Sequence, residues 1–348
     1  MSKEKGKRPL RRIYLYITSG CNLRCRHCWV GSGPEKQAKR PELDLDSWKR
    51  IIDESIEIGL DNVKLTGGEP LLIRDTTYGL MLCLRERKIG VNMETNGTLL
   101  DDEVARFFAE TKGSFISVSV DGPDGETHDA MRCVPGAFDM AVEGMRVLAR
   151  HKVRFQLICA VHRGNVDCAE DMVRLGREVK AGSVRFLPVS RMGRGSEMVR
   201  RDEALNVQET IDFCRFVQED LTPRAGINIS IELTPAFCSW DYIMKCHRRG
   251  ACGLPNMAGM LADGTFAMCG IAEHHENTIY GNAVETSIQE LWRSAPSLLA
   301  QREAMDSGIK GYLQHLSLSW DLQRPLPCRF GGRLRAGRRA VSVLPGRV

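Results

Sequence analysis

Two kinds of hydrophobic spacing alternate along the first two thirds of the chain. Short apolar runs of strand type cover residues 12–18, 62–66, 90–96, 115–121, 153–161 and 183–189. Each is followed by a stretch with helical apolar spacing, at about 44–59, 75–88, 101–111, 136–151, 167–179 and 206–220. Strands separated by helices pair in parallel and cross over with one hand. The pattern therefore predicts an α/β protein built from six consecutive β-α units.

Six such units favour a partial (β/α)6 barrel of the TIM type. No GxGxxG motif follows the first strand, which argues against a dinucleotide-binding sheet. In β/α barrels the reactive residues lie where the strands end, at one edge of the sheet. Four predicted strands end in motifs of this kind: Cys21, GGEP at 67–70, ETNG at 94–97 and SVDG at 119–122. We therefore expect the active site at this edge.

The strand-helix alternation stops after about residue 225. Residues 246–292 are rich in Cys, Gly and Met, and ADGTFAMCG at 262–270 has the form of a β-hairpin. This pattern predicts a small, metal-stapled C-terminal module. The predicted organisation is a core barrel at 8–225, this module at 226–311, and a basic tail at 312–348 that is disordered or read out of frame.

Composition and charge exclude several classes of function. No apolar run approaches the ~20 residues of a membrane span. The basic N-terminus has no apolar segment behind it, so we expect a cytoplasmic protein rather than a secreted one. The net charge is +5, but residues 324–348 hold seven Arg and no Asp or Glu. The basic excess thus belongs to the tail rather than to a folded face, and neither nucleic acid nor a membrane is expected as a partner.

Cysteines carry the strongest chemical signal in the sequence. The chain has 13 of them, and a reducing compartment favours metal binding over disulfides for those that cluster. Cys21, Cys25 and Cys28 place three thiols within eight residues, a soft ligand set that suits iron–sulfur, zinc or copper(I). A structural zinc site needs four closed ligands. Three cysteines on a four-iron cluster would instead leave one iron open to a substrate or cofactor; a zinc site with a distant fourth ligand is the alternative.

The triplet after the first strand, GGEP after the second and the predicted parallel barrel together resemble the radical S-adenosylmethionine (SAM) superfamily. The resemblance covers residues 10–220. It implies that Cys21, Cys25 and Cys28 bind a [4Fe–4S] cluster whose open iron is chelated by SAM. It also implies that an electron from the cluster cleaves SAM to a 5′-deoxyadenosyl radical, which abstracts a hydrogen atom from the substrate.

The same resemblance implies a set of SAM-binding residues near the strand ends. GGEP would provide acceptors for the SAM ammonium group, because two glycines allow close backbone approach and a glutamate adds a charge-assisted hydrogen bond. An arginine fork suits the SAM carboxylate. The implied set is Gly67, Gly68, Glu69, Pro70, Asn96, Ser119, Arg132, which would pair with the carboxylate, and Leu187, which would pack on the adenine. We also expect His27 near the adenine and a structural hydrogen bond from His128.

Three later cysteines resemble the start of a SPASM domain, a C-terminal extension that binds auxiliary [4Fe–4S] clusters. Cys246-x5-Cys252 is followed at the family's spacing by Gly264 and Cys269. The segment GNAVETSIQELW at 281–292 is also similar to that family. The resemblance implies that Cys246, Cys252 and Cys269 bind one auxiliary [4Fe–4S] cluster. The alternative is a zinc knuckle or a set of unrelated thiols.

The SPASM pattern continues with Cys-x2-Cys-x5-Cys-x3-Cys, which this chain lacks. Four leucines have that spacing instead: Leu313, Leu316, Leu322 and Leu326. A Leu codon ending in TG, read one base later, becomes a Cys codon when the next codon begins with C or T. We hypothesise that the chain is out of frame from about residue 312. The nucleotide sequence of the gene tests this hypothesis. The alternative is a true variant with Cys328 as the fourth ligand of one auxiliary cluster.

The resemblance also suggests what the protein acts on. Radical SAM enzymes with a SPASM domain commonly modify ribosomally made peptides or activate proteins, so a peptide or protein is the expected substrate. Only about a dozen residues precede the first strand, so leader-peptide recognition is expected to need a separate binding protein or the barrel itself. A reductant such as flavodoxin or ferredoxin is a further expected partner. The alternatives are an enzyme for a small molecule such as a tetrapyrrole, and an inactive iron–sulfur protein.

Overall fold

The computed structural model of the chain describes residues 8–35, 41–232 and 256–306. Ten strands in these ranges form one sheet in the order β10-β9-β8-β1-β2-β3-β4-β5-β6-β7. Its parallel strands are β1 (Arg12–Tyr16), β2 (Asn62–Thr66), β3 (Gly90–Thr95), β4 (Phe115–Ser119), β5 (Phe155–Val161), β6 (Ser183–Pro188) and β7 (Asn228–Ile231). The six predicted strands are confirmed. The seventh, β7, extends the parallel series beyond them through its pairing with β6.

Helices pack on the sheet through a shared apolar cluster; most of them connect successive strands, and the last two follow the final strand. They are α1 (Leu45–Ile56), α2 (Arg74–Glu86), α3 (Asp102–Glu110), α4 (Gly125–Arg132), α5 (Ala137–Arg150), α6 (Ala169–Glu178), α7 (Gly195–Arg200), α8 (Val207–Arg215), α9 (Ile288–Ser294) and α10 (Pro296–Asp306). Short 3-10 helices lie at Pro70–Ile73, Val166–Cys168, Gly270–Glu273 and Glu276–Thr278. Helix α8 continues through a π-helical turn at Phe216–Leu221 and a last turn at Thr222–Arg224. No helix in the described ranges is both long enough and apolar enough to cross a bilayer.

Aspartate side chains start several of these helices. Asp44 accepts a hydrogen bond from the backbone N–H of Ser47 at 2.8 Å, as its position before the apolar periodicity predicts. Asp101 caps α3 in the same way, with acceptor contacts to two backbone N–H groups. Asp124 caps α4, a helix of eight residues that hydrophobic periodicity did not reveal. This short helix matters because it carries both His128 and Arg132.

The C-terminal segment joins the same sheet. Strand β8 (Met257–Met260) pairs in parallel with β1, and β9 (Thr265–Ala267) and β10 (Ile279–Asn282) continue it in antiparallel order. The predicted hairpin is confirmed, with Gly264 at a φ of +84° in its turn. The predicted boundary near residue 225 stays a prediction; beyond it, β7 pairs with β6 and β8 pairs with β1.

The two faces of the parallel sheet differ in chemistry. On the helix-facing side, Val63, Leu65, Val91 and Met93 are fully buried in one apolar cluster with the helices. Each side chain of this size contributes roughly 1.5–3 kcal/mol when fully buried. On the other face the same strands carry polar side chains. The apolar face therefore holds the partial barrel together and leaves the polar face as its inner surface.

Candidate active site

The three cysteines lie on a loop that begins directly after β1. Cys21 and Cys25 are buried, and Cys28 is half-buried. The backbone N–H of Cys21 donates to the carbonyl of Gly33 at 3.3 Å, which closes the loop on itself. The loop is also bound to the end of α4, since Arg26 N–H donates to the carbonyl of Met131 at 2.9 Å. One contact within the loop and one contact with α4 thus fix the backbone that carries the thiols.

The GGEP loop requires its two glycines because it packs directly against the cysteine loop. The N–H of Gly68 donates to the carbonyl of Thr18 at 2.7 Å, and that of Glu69 donates to the carbonyl of Gly20 at 2.9 Å. A Cβ on Gly68 would stand 1.7 Å from the Gly20 carbonyl oxygen. Gly67 has a φ of +131°, and a Cβ there would stand 2.5 Å from the Thr18 carbonyl oxygen. Only glycine therefore allows the ends of β1 and β2 to approach so closely.

Glu69 fastens the ends of two strands together. Its carboxylate is fully buried and accepts hydrogen bonds from Thr95 Oγ1 at 2.7 Å, from Asn96 N–H at 2.8 Å and from Leu71 N–H at 3.1 Å. Burial raises the pKa of Glu69, while these three donors oppose the rise. Pro70 then begins the 3-10 helix at Pro70–Ile73. The ammonium contact predicted for Glu69 stays a prediction.

Amide groups surround the sulfur of Cys21. Its Sγ accepts from the N–H of Leu23 at 3.4 Å, and Asn96 Nδ2 lies 3.9 Å away. Asn96 Nδ2 also donates to Asn22 Oδ1 at 2.8 Å, and its Oδ1 accepts from Thr98 N–H at 2.9 Å. The predicted residue Asn96 is thus brought next to the cysteine loop. Its side chain is held by contacts on both of its polar atoms.

A buried ion pair lies beside Cys25. Asp121, just beyond the end of β4, is fully buried, and its Oδ2 lies 2.8 Å from Arg132 Nε and 2.8 Å from His27 Nε2. Arg132 Nη1 donates to Cys25 Sγ at 3.5 Å. Burial would raise the pKa of Asp121, but Arg132 and then His27 hold it well below its usual range. The predicted contact of Arg132 with the SAM carboxylate stays a prediction, since this guanidinium is paired within the protein.

The cysteine environment fits an iron–sulfur cluster. Burial raises the pKa of Cys21 to about 12, and burial also raises that of Cys25, against the opposing effect of Arg132. These sulfurs nevertheless have N–H donors aimed at them, as a metal-bound thiolate requires. Among the described residues, no group of three or more His, Cys, Asp or Glu is arranged to hold a metal ion. A four-iron cluster takes one cysteine at an iron, so three cysteines would leave its fourth iron open.

The remaining predicted residues lie at other strand ends or outside the described residues. Ser119 and Leu187 are half-buried, near the C-terminal ends of β4 and β6. Cys269 is half-buried and follows β9, where its backbone packs on Gly259 of β8. Cys246, Cys252, Cys328 and the tail at 312–348 lie outside the described residues. The auxiliary cluster and the out-of-frame tail therefore stay predictions.

The polar inner face is the feature that the motifs did not reveal. Lys64 Nζ lies 2.6 Å from Glu94 Oε1 and 3.7 Å from the centre of the Tyr14 ring. Farther along the sheet, Gln156 Nε2 donates to Ser117 Oγ at 2.8 Å. The sequence did indicate this polar face, because polar and apolar residues alternate in NVKLT and GVNMET, as expected for strands with one polar face.

His128 makes the predicted structural hydrogen bond and gives the fold a pH dependence. Its Nδ1 accepts from Asp121 N–H at 3.1 Å, and its Nε2 is buried without a hydrogen-bond partner among the described residues. Burial, followed by repulsion from Arg132, lowers the pKa of His128 to about 4. An unfolded histidine titrates near ~6.5. The folded chain binds this proton less readily, so stability is fully present above that pH and is lost as pH falls.

We expect the free energy of unfolding to decrease between about pH 6.5 and about pH 4, by up to ~1.4 kcal/mol per pH unit from this group. His128→Gln should flatten that slope, and replacement of the exposed His275 should not. Urea unfolding at about pH 7.5 and about pH 5 measures the difference. An unchanged slope in His128→Gln would assign the pH dependence to other groups.

A parallel partial barrel in which a three-cysteine loop packs on a Gly-Gly-Glu-Pro loop is the arrangement of a radical SAM domain. Residues 15–176 match the Radical SAM superfamily, so the chain carries a radical SAM domain. Enzymes of this superfamily use a [4Fe–4S] cluster together with SAM. The predictions of family and of enzyme class are confirmed.

Similar proteins act on more than one class of substrate. The chain is 36% identical over 191 residues to an AdoMet-dependent heme synthase of Methanosarcina barkeri, which covers 54% of this chain and 53% of that protein. It is 27% identical over 316 residues to the mycofactocin maturase MftC of Mycobacterium tuberculosis, which covers 86% of this chain and 74% of that protein. The chain thus spans about half of the length of several curated relatives that it matches.

Solved structures confirm the fold. Native anSMEcpe with bound AdoMet superposes with a TM-score of 0.69 at 18% identity, covering 91% of this chain and 88% of that chain. At this identity the similarity shows the fold alone. The predicted partial barrel is therefore confirmed by both its strand order and its structural neighbour.

Proposed function

We propose that this protein is a radical SAM enzyme that binds its cluster at Cys21, Cys25 and Cys28 and modifies a peptide or protein. The observation that carries the proposal is the packing of the cysteine loop on the GGEP loop, with the Gly68 position closed to any side chain. Bound at these cysteines, a [4Fe–4S] cluster would supply the electron that cleaves SAM to a 5′-deoxyadenosyl radical for hydrogen abstraction.

The chain's own residues prepare this site in three ways. The backbone contacts of Gly67 and Gly68 hold the ends of β1 and β2 together. Leu23 N–H and Arg132 direct donors at the sulfurs of Cys21 and Cys25. Burial of these two thiols keeps water from their sulfurs, which protects a reactive metal site from side reactions. Glu69, Asn96 and the other predicted residues then lie at the strand ends where SAM is expected to bind.

The polar inner face supports a substrate rich in hydrogen-bonding groups. Lys64 and Glu94 form one pair on this face, and Arg185 and Glu232 lie 3.1 Å apart near β6 and β7. A polypeptide offers amide donors and acceptors along its whole length, which such a surface can match. The similarity to MftC supports the same substrate class. A flavodoxin or ferredoxin as reductant, and a separate protein for leader recognition, belong to this proposal.

A second candidate substrate is a tetrapyrrole. The observation in its favour is the 36% identity to a heme synthase, the highest among these relatives. The carboxylates of a porphyrin would suit basic groups on the inner face such as Arg185. The two candidates share the same SAM chemistry and differ only in what the radical attacks.

Anaerobic reconstitution with iron and sulfide, followed by dithionite and SAM, tests the shared chemistry. We expect 5′-deoxyadenosine to form only when both reductant and cluster are present. A fully loaded protein that forms none would contradict the proposal. Adding a precursor peptide encoded beside the gene, or an iron coproporphyrin, then separates the substrates, since only the correct one should change in mass with turnover. Iron beyond four per chain would support an auxiliary cluster at Cys246, Cys252 and Cys269.

A further inference from the structure

We propose that Arg132 raises the reduction potential of the cluster bound at Cys25, and that Asp121 positions Arg132 for this purpose. The inference rests on the proposed function, because it requires a cluster at this site. Its starting observation is the hydrogen bond from Arg132 Nη1 to Cys25 Sγ at 3.5 Å. Arg132 is only 5% exposed, so this charge is largely removed from solvent.

The arginine reaches Cys25 because α4 is bound to the cysteine loop by its backbone as well. Arg24 N–H donates to the carbonyl of Arg132 at 3.2 Å, and Arg26 N–H donates to that of Met131 at 2.9 Å. The end of the helix and the loop therefore move as one unit. A side chain on this turn keeps a fixed distance from the thiol of Cys25.

Asp121 is the buried counter-ion of the guanidinium. Its Oδ2 lies 2.8 Å from Arg132 Nε and also 2.8 Å from His27 Nε2. Its Oδ1 accepts from Ala160 N–H at 2.9 Å, and its carbonyl accepts from Asn165 Nδ2 at 2.8 Å. Asp121 is thus held by hydrogen bonds from β5 and from the loop that follows it. A buried ion pair is costly to form, and here its geometry directs a further N–H of the arginine at sulfur.

The expected effect follows from charge. Reduction adds an electron to the cluster, and a cation with an N–H aimed at a ligand sulfur stabilises the more negative state. This stabilisation raises the reduction potential and makes the cluster easier to reduce. In water the effect would be screened, but burial of the ion pair keeps it strong. Arg132 therefore acts on the cluster through Cys25, whether or not it also contacts SAM.

The test is a redox titration of the reconstituted protein without SAM, followed by electron paramagnetic resonance. Arg132→Gln should shift the midpoint potential to more negative values, because it removes both the charge and the donor. Asp121→Asn removes an anion that opposes Arg132 at Cys25 as well as the anchor of the arginine, so a shift to more negative values in this variant would show that the anchoring outweighs the lost charge. Arg132→Lys, which keeps the charge without the fork, should fall between the wild type and Arg132→Gln.

Arg194 offers a matched control. Its Nε donates to the carbonyl of Cys25 at 2.8 Å, so it supports the same loop without a bond to sulfur. Arg194→Gln should shift the potential clearly less than Arg132→Gln does. Equal shifts in the two variants would reduce the effect to a disturbed loop and overturn the inference.

Two other outcomes are equally decisive. An unchanged potential in Arg132→Gln with weakened SAM binding would make Arg132 a SAM ligand and nothing more, which overturns the inference. If Arg132→Gln does not take up iron, Arg132→Lys carries the test, and an unchanged potential in that variant overturns the inference. A wild-type protein that binds no cluster, or binds one and cleaves no SAM, is a separate result that contradicts the proposed function itself.

Discussion

Cys25→Ala is expected to abolish cluster binding and, with it, the formation of 5′-deoxyadenosine. Cys25 is the middle ligand of the triplet, and its sulfur is buried beside Arg132. Its removal leaves two cysteines in the loop, which cannot hold three irons of a cluster. It also leaves a buried guanidinium with one partner fewer. Iron and sulfide content, visible absorption and 5′-deoxyadenosine formation measure the loss.

The matched control is Cys83→Ala. Cys83 is as buried as Cys25 but lies in α2, within the apolar cluster. Loss of its thiol should cost about 1 kcal/mol of stability, as is typical of a buried substitution, and leave the iron content unchanged. A Cys25→Ala protein with full iron content would show that Cys25 is not a ligand. Equal iron loss in both variants would point to unfolding instead.

Gly68→Ala is expected to disrupt the site as severely, although it touches no ligand. The added Cβ would meet the Gly20 carbonyl oxygen at 1.7 Å, and that oxygen belongs to the backbone one residue before Cys21. No rotamer change can relieve a contact between Cβ and backbone. The ends of β1 and β2 must therefore separate, which breaks the hydrogen bond from Glu69 N–H to Gly20. We expect a loss of about 3 kcal/mol in the free energy of unfolding and a strongly reduced iron content.

Gly125→Ala is the control for this variant. Gly125 opens α4, and a Cβ there would come no closer than 3.9 Å to Asp129 Oδ2. Alanine at this helical position should be neutral or stabilise the protein by about 0.5 kcal/mol. Urea unfolding and iron content compare the two variants. Wild-type behaviour of Gly68→Ala would show that the close approach of the two loops is not needed for the site.

The regular part of this fold was predictable because strands and helices have different apolar periods. All six predicted strands occur, and the motifs stand at their C-terminal ends as parallel order requires. The flanking strand β7, which has only four residues, was not predicted, and neither was the pairing of β8 with β1. Their place is set by pairing with β6 and β1, which a local pattern does not encode.

The contacts inside the site were harder to predict for a different reason. Arg132 and Cys25 are 107 residues apart in sequence, and they meet only because α4 packs on the cysteine loop. The motif suggested Glu69 as a ligand for SAM, but it did not reveal that Thr95, Asn96 and Leu71 donate to its carboxylate. Sequence shows which polar groups are available. Which of them pair with one another depends on the packed structure.

The parallel pairing of β8 with β1 has a consequence for any attempt to isolate the catalytic half. A fragment that ends near residue 225 would strip one flank from the strand that leads to Cys21. A bare strand edge of this kind is a template for self-association. We therefore expect such a fragment to aggregate, whereas one that retains residues 256–306 should remain dispersed. The C-terminal segment thus covers an edge of β1 that would otherwise be open, apart from any metal that it binds.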